Sequence, residues 1–141
     1  MEADRRSKIL VVAEEAQLRL SVISALSRHY ECQEAASVEQ AKEIFAPERD
    51  DIAVAVLCLR GLALAPLELA RVIKQRSPTT KVIIITSFVA LEATKTAVRE
   101  RVCDAYLVRP FDLPDFRDVV MQAVNARDEE AKAMEKTESS G

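Results

Sequence analysis

Short apolar runs alternate along this chain with longer stretches whose apolar residues recur at helical spacing, and that alternation limits the fold more than any other feature. Lys8-Ile9-Leu10-Val11-Val12 is continuous and β-branched, the pattern of a strand buried on both faces of a parallel sheet. Glu15 to Ser27 then carries Leu18, Val22, Ile23 and Leu26 along one helical face. A weaker strand is expected over Glu31 to Glu34. Ser37 with Gln40 three residues on forms a capping-box signal, which starts a helix through Phe45 that Pro47 ends. Ile52 to Leu59 is the next apolar strand, followed by a loop from Gly61 to Pro66. Pro66 suits the first turn of a helix to about Arg76, which Ser77-Pro78 breaks. Lys81 to Thr86 is the strongest strand signal, and Leu91 to Glu100 reads as a helix. Ala105 to Val108 is a short strand, and Asp112 with Pro114 opens a last helix buried along Phe116, Val119, Val120, Ala123 and Val124.

Strands and helices in strict alternation give an α/β fold, a parallel sheet with right-handed crossovers. In such sheets the working site lies outside the carboxyl ends of the strands. The residues placed there are Ala13, Glu14 and Glu15, then Cys58 to Gly61, Thr86 and Ser87, and Arg109 with Pro110.

Composition narrows the chemistry. With 141 residues, 49% hydrophobic and 30% charged, the chain suits one domain with a real core and a short tail. A net charge of -3 and only 4% aromatic residues argue against a nucleic-acid surface, basic or stacking. Met1 to Ser7 is charged, and the apolar run behind it is too short for a signal-peptide core or a membrane span. A cytoplasmic protein is therefore expected. Cys32, Cys58 and Cys103 are scattered without a CxxC pair and read as reduced thiols. His29 is the sole histidine, set beside Arg28 at a helix C-terminus where positive charge is favoured, so no His-based metal site or catalytic dyad is expected. With only Gly61 and Gly141 as glycines, a phosphate-cradling loop is missing, and a conventional enzyme is not expected.

The strand-end residues resemble those of response-regulator receiver domains. That family carries an acidic pair after the first strand, a phospho-accepting Asp ending the third, Thr or Ser ending the fourth, and Lys-Pro after the fifth. Here the corresponding segments read Val11-Val12-Ala13-Glu14-Glu15, Val56-Leu57-Cys58-Leu59-Arg60, Ile84-Ile85-Thr86-Ser87 and Tyr106-Leu107-Val108-Arg109-Pro110-Phe111. The resemblance spans about residues 7 to 125. It implies a flavodoxin-like three-layer domain over residues 1–126, with a five-stranded parallel sheet in the order 2-1-3-4-5. Residues 127–141 are expected to be a helical extension fraying into a charged tail.

The departures from the family bear directly on function. Cys58 stands at the acceptor position, and a thiol offers no carboxylate oxygen to bind Mg²⁺ or form an acyl phosphate. Ala13 takes the first acidic position, leaving Glu14 at the second, so no Mg²⁺ cofactor is expected. Arg109 replaces the lysine that would contact the phosphoryl group. The resemblance thus implies a pseudo-receiver, a phosphorylation-independent signalling module of a bacterial two-component-type pathway that acts by protein–protein interaction.

Several readings stay open at this level. Thr86 and Tyr106 occupy the family's switch positions and are either a retained switch or ordinary packing residues. Glu14 or Glu15 either pairs with Arg109, with Arg60 as a second cation, or reaches into solvent. Cys58 is either a redox-sensing thiol whose pKa is lowered by Arg60 and Arg109, or a small buried hydrophobe. A phosphorelay receiver with a displaced acceptor such as Glu14 is a further alternative. The face of the fourth helix, fifth strand and fifth helix, with Thr94, Lys95, Arg99, Glu100, Arg101 and Asp104, is a mixed-charge surface suited to a homodimer or to solvent.

Overall fold

The computed structural model describes residues 6–48 and 51–140. The charged start Met1–Arg5 and the final Gly141 lie outside the described residues. Five strands, β1 (Lys8–Val12), β2 (Glu31–Ala35), β3 (Ile52–Cys58), β4 (Lys81–Thr86) and β5 (Ala105–Val108), form one parallel sheet in the order β2-β1-β3-β4-β5. The helices are α1 (Ala16–Leu26), α2 (Val38–Glu48), α3 (Ala65–Arg76), α4 (Leu91–Arg99) and α5 (Leu113–Ser140), with a 3-10 turn at Phe88–Ala90 leading into α4. This is the expected flavodoxin-like architecture.

The continuous apolar runs have a direct physical cause. Every residue of the central strand β3 is buried, because helices cover both faces of the sheet. One core layer joins Leu10, Ala55, Leu57, Val82 and Ile84 to Phe45 of α2, Leu69 and Ile73 of α3 and Ala97 of α4. The other joins Ile9, Val11, Val54, Val56, Ile83 and Ile85 to Val22 and Leu26 of α1 and Phe116, Val120 and Val124 of α5. Alternate residues of each strand thus serve opposite layers. Each large aliphatic side chain so buried contributes about 1.5–3 kcal/mol.

Capping chemistry sets local boundaries. Gln40 N donates to Ser37 Oγ at 3.0 Å, while Gln40 Oε1 accepts from Ala36 N at 2.7 Å, a capping box closed one residue earlier than the usual form. Pro66 lies in the first turn of α3, as its missing N–H allows. One expectation is corrected: α2 does not stop before Pro47 but runs through it to Glu48. Proline's fixed φ is compatible with a helix. In this last turn its missing N–H forfeits the bond to the carbonyl of Glu43, an exposed residue.

At the opposite end of the sheet from the strand-end mouth, a polar network locks α3, β3 and β4 together. Thr80 Oγ1 donates to Ile52 O at 2.7 Å and lies 2.6 Å from Ser77 Oγ, both groups buried. Asp104 Oδ2 accepts from Val82 N at 2.7 Å and from Lys74 Nζ at 3.0 Å.

Candidate functional site at the strand ends

Sheet pairing runs one step past each strand and delivers the candidate residues to a common edge. Ala13 N donates to Ala35 O at 3.1 Å, Leu59 N to Ile85 O at 2.9 Å, and Arg109 N to Thr86 O at 2.8 Å. Cys58 pairs in register with Ile85, and Thr86 with Val108. Ala13, Cys58, Thr86 and Arg109 are therefore positioned by backbone hydrogen bonds rather than by flexible loops.

Arg109 is the hub of this edge. Its guanidinium donates to Glu15 Oε1 at 3.0 Å and to the carbonyl of Leu59 at 3.0 Å, joining the ends of three strands. The side chain is three-quarters buried, so these charge-assisted bonds are stronger than exposed ones. Arg60 lies 3.4 Å from Glu14, and both side chains are more than half exposed, a pair worth little. The sequence left open which glutamate would serve Arg109, and the geometry divides them: Glu15 to Arg109, Glu14 to Arg60. The Arg109–Pro110 peptide bond is cis.

A third arginine, Arg19, was not among the sequence candidates. It donates to Ala13 O at 2.7 Å and to Glu34 Oε1 at 3.0 Å, fastening α1 to the ends of β1 and β2. Nothing in a helical pattern marks such a residue; its length lets it reach a strand end one turn away. Each of the three arginines at this end is thus matched by its own carboxylate.

Cys58 is buried, and burial pushes its thiol from 9.0 up to about 12; Arg109 pulls it down and Glu15 pushes it further up, both by less. Of the two readings of Cys58 that the sequence left open, this agrees with the small buried hydrophobe, because loss of hydration outweighs one guanidinium already shared with Glu15. Cys103 is likewise pushed to about 12 and Cys32 to about 11, chiefly by burial.

Thr86 is fully buried, and its hydroxyl shares a 2.9 Å hydrogen bond with that of Thr94, which also reaches Ala90 O at 2.9 Å. Thr94 was expected on a charged surface, but it is fully buried. The helical face that follows Phe88–Ala90 turns it toward β4, where a hydroxyl needs a partner. Tyr106 is half-buried and packs on the same layer as Ile84 and Ala97. Ser87 Oγ is buried with no hydrogen-bond partner among the described residues.

Gly61 turns the chain out of β3 with a φ of +58°, the left-handed region, and Ala63 N closes the turn onto Arg60 O at 3.0 Å. Beyond it Leu62 and Leu64 stand exposed, as do Phe88 and Val89 after β4. Around the mouth the loops are apolar. Among the described residues no group of three or more His, Cys, Asp or Glu side chains could hold a metal ion. Ala13 and Cys58 contribute no carboxylate, and Glu14 and Glu15 face arginines. Among the described residues no helix is long and apolar enough to cross a membrane.

The chain is similar to known proteins over most of its length. It is 32% identical over 131 residues to the response regulator protein PilR of Pseudomonas aeruginosa, which covers 90% of this chain but only 28% of PilR. Among solved structures, a response regulator receiver domain protein from Clostridium thermocellum superposes with a TM-score of 0.77 at 25% identity, covering 91% of this chain and 98% of that one. A protein described as adenylate cyclase from Rhodopirellula baltica superposes with a TM-score of 0.84 over 94% of this chain and 98% of its own, at 19% identity, a likeness of fold alone. No family model matches the chain.

Proposed function

We infer that this chain belongs to the response-regulator receiver family, and from that premise we propose that it signals by contact with a protein partner without being phosphorylated at residue 58. One observation carries the reading. Arg109, at the position of the family's phosphate-contacting lysine, is held by Glu15 and the Leu59 carbonyl. The residue at the acceptor position is a buried thiol held protonated at neutral pH. A positive charge that would otherwise await a phosphoryl group already has a permanent counter-charge, so the mouth is electrostatically complete without metal or phosphate. The Thr86–Thr94 bond supports a static role for the switch position, since the hydroxyl is engaged toward α4.

Redox sensing through Cys58 is not favoured, because a thiol pushed up to about 12 has little thiolate at neutral pH. A displaced acceptor at Glu14 is the competing reading, and its carboxylate is exposed. The partner surface, including a homodimer through α4, β5 and α5, belongs to the same proposal. On that face Glu100 pairs with Arg71, and Asp104 with Lys74. The exposed Phe88 and Val89 just before α4 offer apolar surface for a partner to cover.

The test is treatment with a small phosphodonor and Mg²⁺, followed by intact mass and by backbone NMR at Thr86 and Arg109. The expected result is an unchanged mass and no Mg²⁺-dependent shift in the native chain. Cys58→Asp, which restores a carboxylate, serves as the comparison. A phosphoryl adduct on the native chain overturns the proposal, and its mapping to Glu14 would establish the competing reading.

A further inference from the structure

We propose a second site, remote in kind from the strand-end mouth: a pocket for a small multivalent phosphate-type anion between the end of α1 and the start of α5. A cavity of about 290 Å³ there is lined by Ser24, Ala25, Arg28, His29 and Arg117. Three of these five residues are basic and none is acidic. Among the described residues none of Arg28, His29 and Arg117 has a carboxylate partner, whereas the arginines at the mouth each have one. In a chain with a net charge of -3, two convergent arginines beside a histidine, with no carboxylate partner among the described residues, stand against the overall sign.

The plainest structural explanation is that these basic residues offset the negative end of α1. That end carries only about half an elementary charge. It is already served by two arginines, Arg117 donating to Ala25 O at 3.3 Å and Arg6 to Ser27 O at 3.2 Å. Arg28 and His29 are surplus to that need. The repulsion between the Arg28 and Arg117 guanidinium groups is relieved when an anion enters, and the His29 ring N–H and the Ser24 hydroxyl add donors. All three basic side chains are exposed, so salt screens a single charge there, and only an anion carrying two or more charges is expected to be held at ordinary ionic strength. Guanidinium groups match phosphate geometry through paired N–H donors. The cavity is of a size for such an anion, either free or carried on a small ester.

The full chain, labelled with ¹⁵N, is titrated with inorganic pyrophosphate at constant ionic strength, with chloride as the control. Saturable shifts confined to Ser24, Arg28, His29 and Arg117 are expected, with affinity lowered about tenfold in Arg28→Gln. Arg28 makes no structural hydrogen bond among the described residues, so this variant folds as the parent, whereas Arg117→Gln also loses the Ala25 carbonyl bond. Arg71→Gln, altered at an ion pair with Glu100 elsewhere, is expected to bind like the native chain. Comparing pyrophosphate with a nucleoside diphosphate separates the two sources: similar affinities assign the site to the free anion, tighter binding of the nucleotide to an ester. Linear shifts matched by chloride, or an unchanged affinity in Arg28→Gln, overturn the proposal.

Discussion

Arg109 gives Glu15 a counter-charge at the strand-end mouth and, through Glu15 and the Leu59 carbonyl, ties the ends of three strands together. Arg109→Ala removes the Glu15 and Leu59 bonds and leaves Glu15 unpaired beside buried backbone. A loss of about 1.5–3 kcal/mol is expected in urea unfolding. In a double-mutant cycle with Glu15→Gln the two losses are expected to fall short of additive; strict additivity would show that the pair is only a surface contact. The thiols give a pH signature. Cys58 and Cys103, about 12, and Cys32, about 11, all lie above the ordinary 9.0. The folded chain therefore holds these protons more tightly than the unfolded chain. Stability from them is intact below pH 9 and falls as pH rises from there toward the folded values, by at most about 1.4 kcal/mol per pH unit for each titrating thiol. Urea midpoints at successive pH values between neutral and strongly alkaline check the sign; a rise would contradict the burial of these groups. Alkylation at neutral pH, followed by mass spectrometry, is expected to reach the partly exposed Cys32 first.

At the scale of elements, α4 is held to β4 by two hydroxyls rather than by apolar packing alone. Thr94→Val leaves the buried Thr86 hydroxyl only its long 3.4 Å bond to Ser87 O and is expected to cost about 1–2 kcal/mol, while Thr86→Val with Thr94→Val together costs less than the sum of the two. Independent losses in thermal unfolding would mean that the hydroxyls do not interact. Asp104 is the corresponding tie at the other end of β4, where one carboxylate oxygen serves both Val82 N and Lys74. Neither tie was legible in the sequence. Thr94 reads as a polar helix residue and Asp104 as a surface charge, because periodicity records which face a residue occupies and not which neighbour lies opposite.

For the whole molecule, α5 extends far beyond the sheet it covers. Glu130 of the extension pairs with Lys81 at the start of β4, a contact in which the lysine side chain is largely buried and the glutamate about half exposed. Removing residues 127–141 leaves the largely buried Lys81 without Glu130 and is expected to lower stability by about 1.5–3 kcal/mol, with circular dichroism retaining the α/β signature. A chain that fails to fold on that truncation would make the extension part of the domain. A chain of this kind spans 28% of PilR's length, so what PilR does as a whole does not pass to it.

The sequence by itself determined the order of strands and helices, the burial of β1, β3 and β4, and which residues stand at the strand ends. Those properties follow from local periodicity and from continuous apolar runs, which are written into neighbouring residues. It also exposed the thiol at position 58 and the missing carboxylate at position 13. Only the tertiary structure decided that Glu15 rather than Glu14 holds Arg109, that Arg19 seals the Ala13 carbonyl, and that Cys58 is pushed up rather than down. It alone turned Thr94 inward and left Arg28, His29 and Arg117 facing one cavity. These outcomes depend on distances between groups far apart in the chain and on how much water each retains, and neither quantity is encoded in any local pattern of residues.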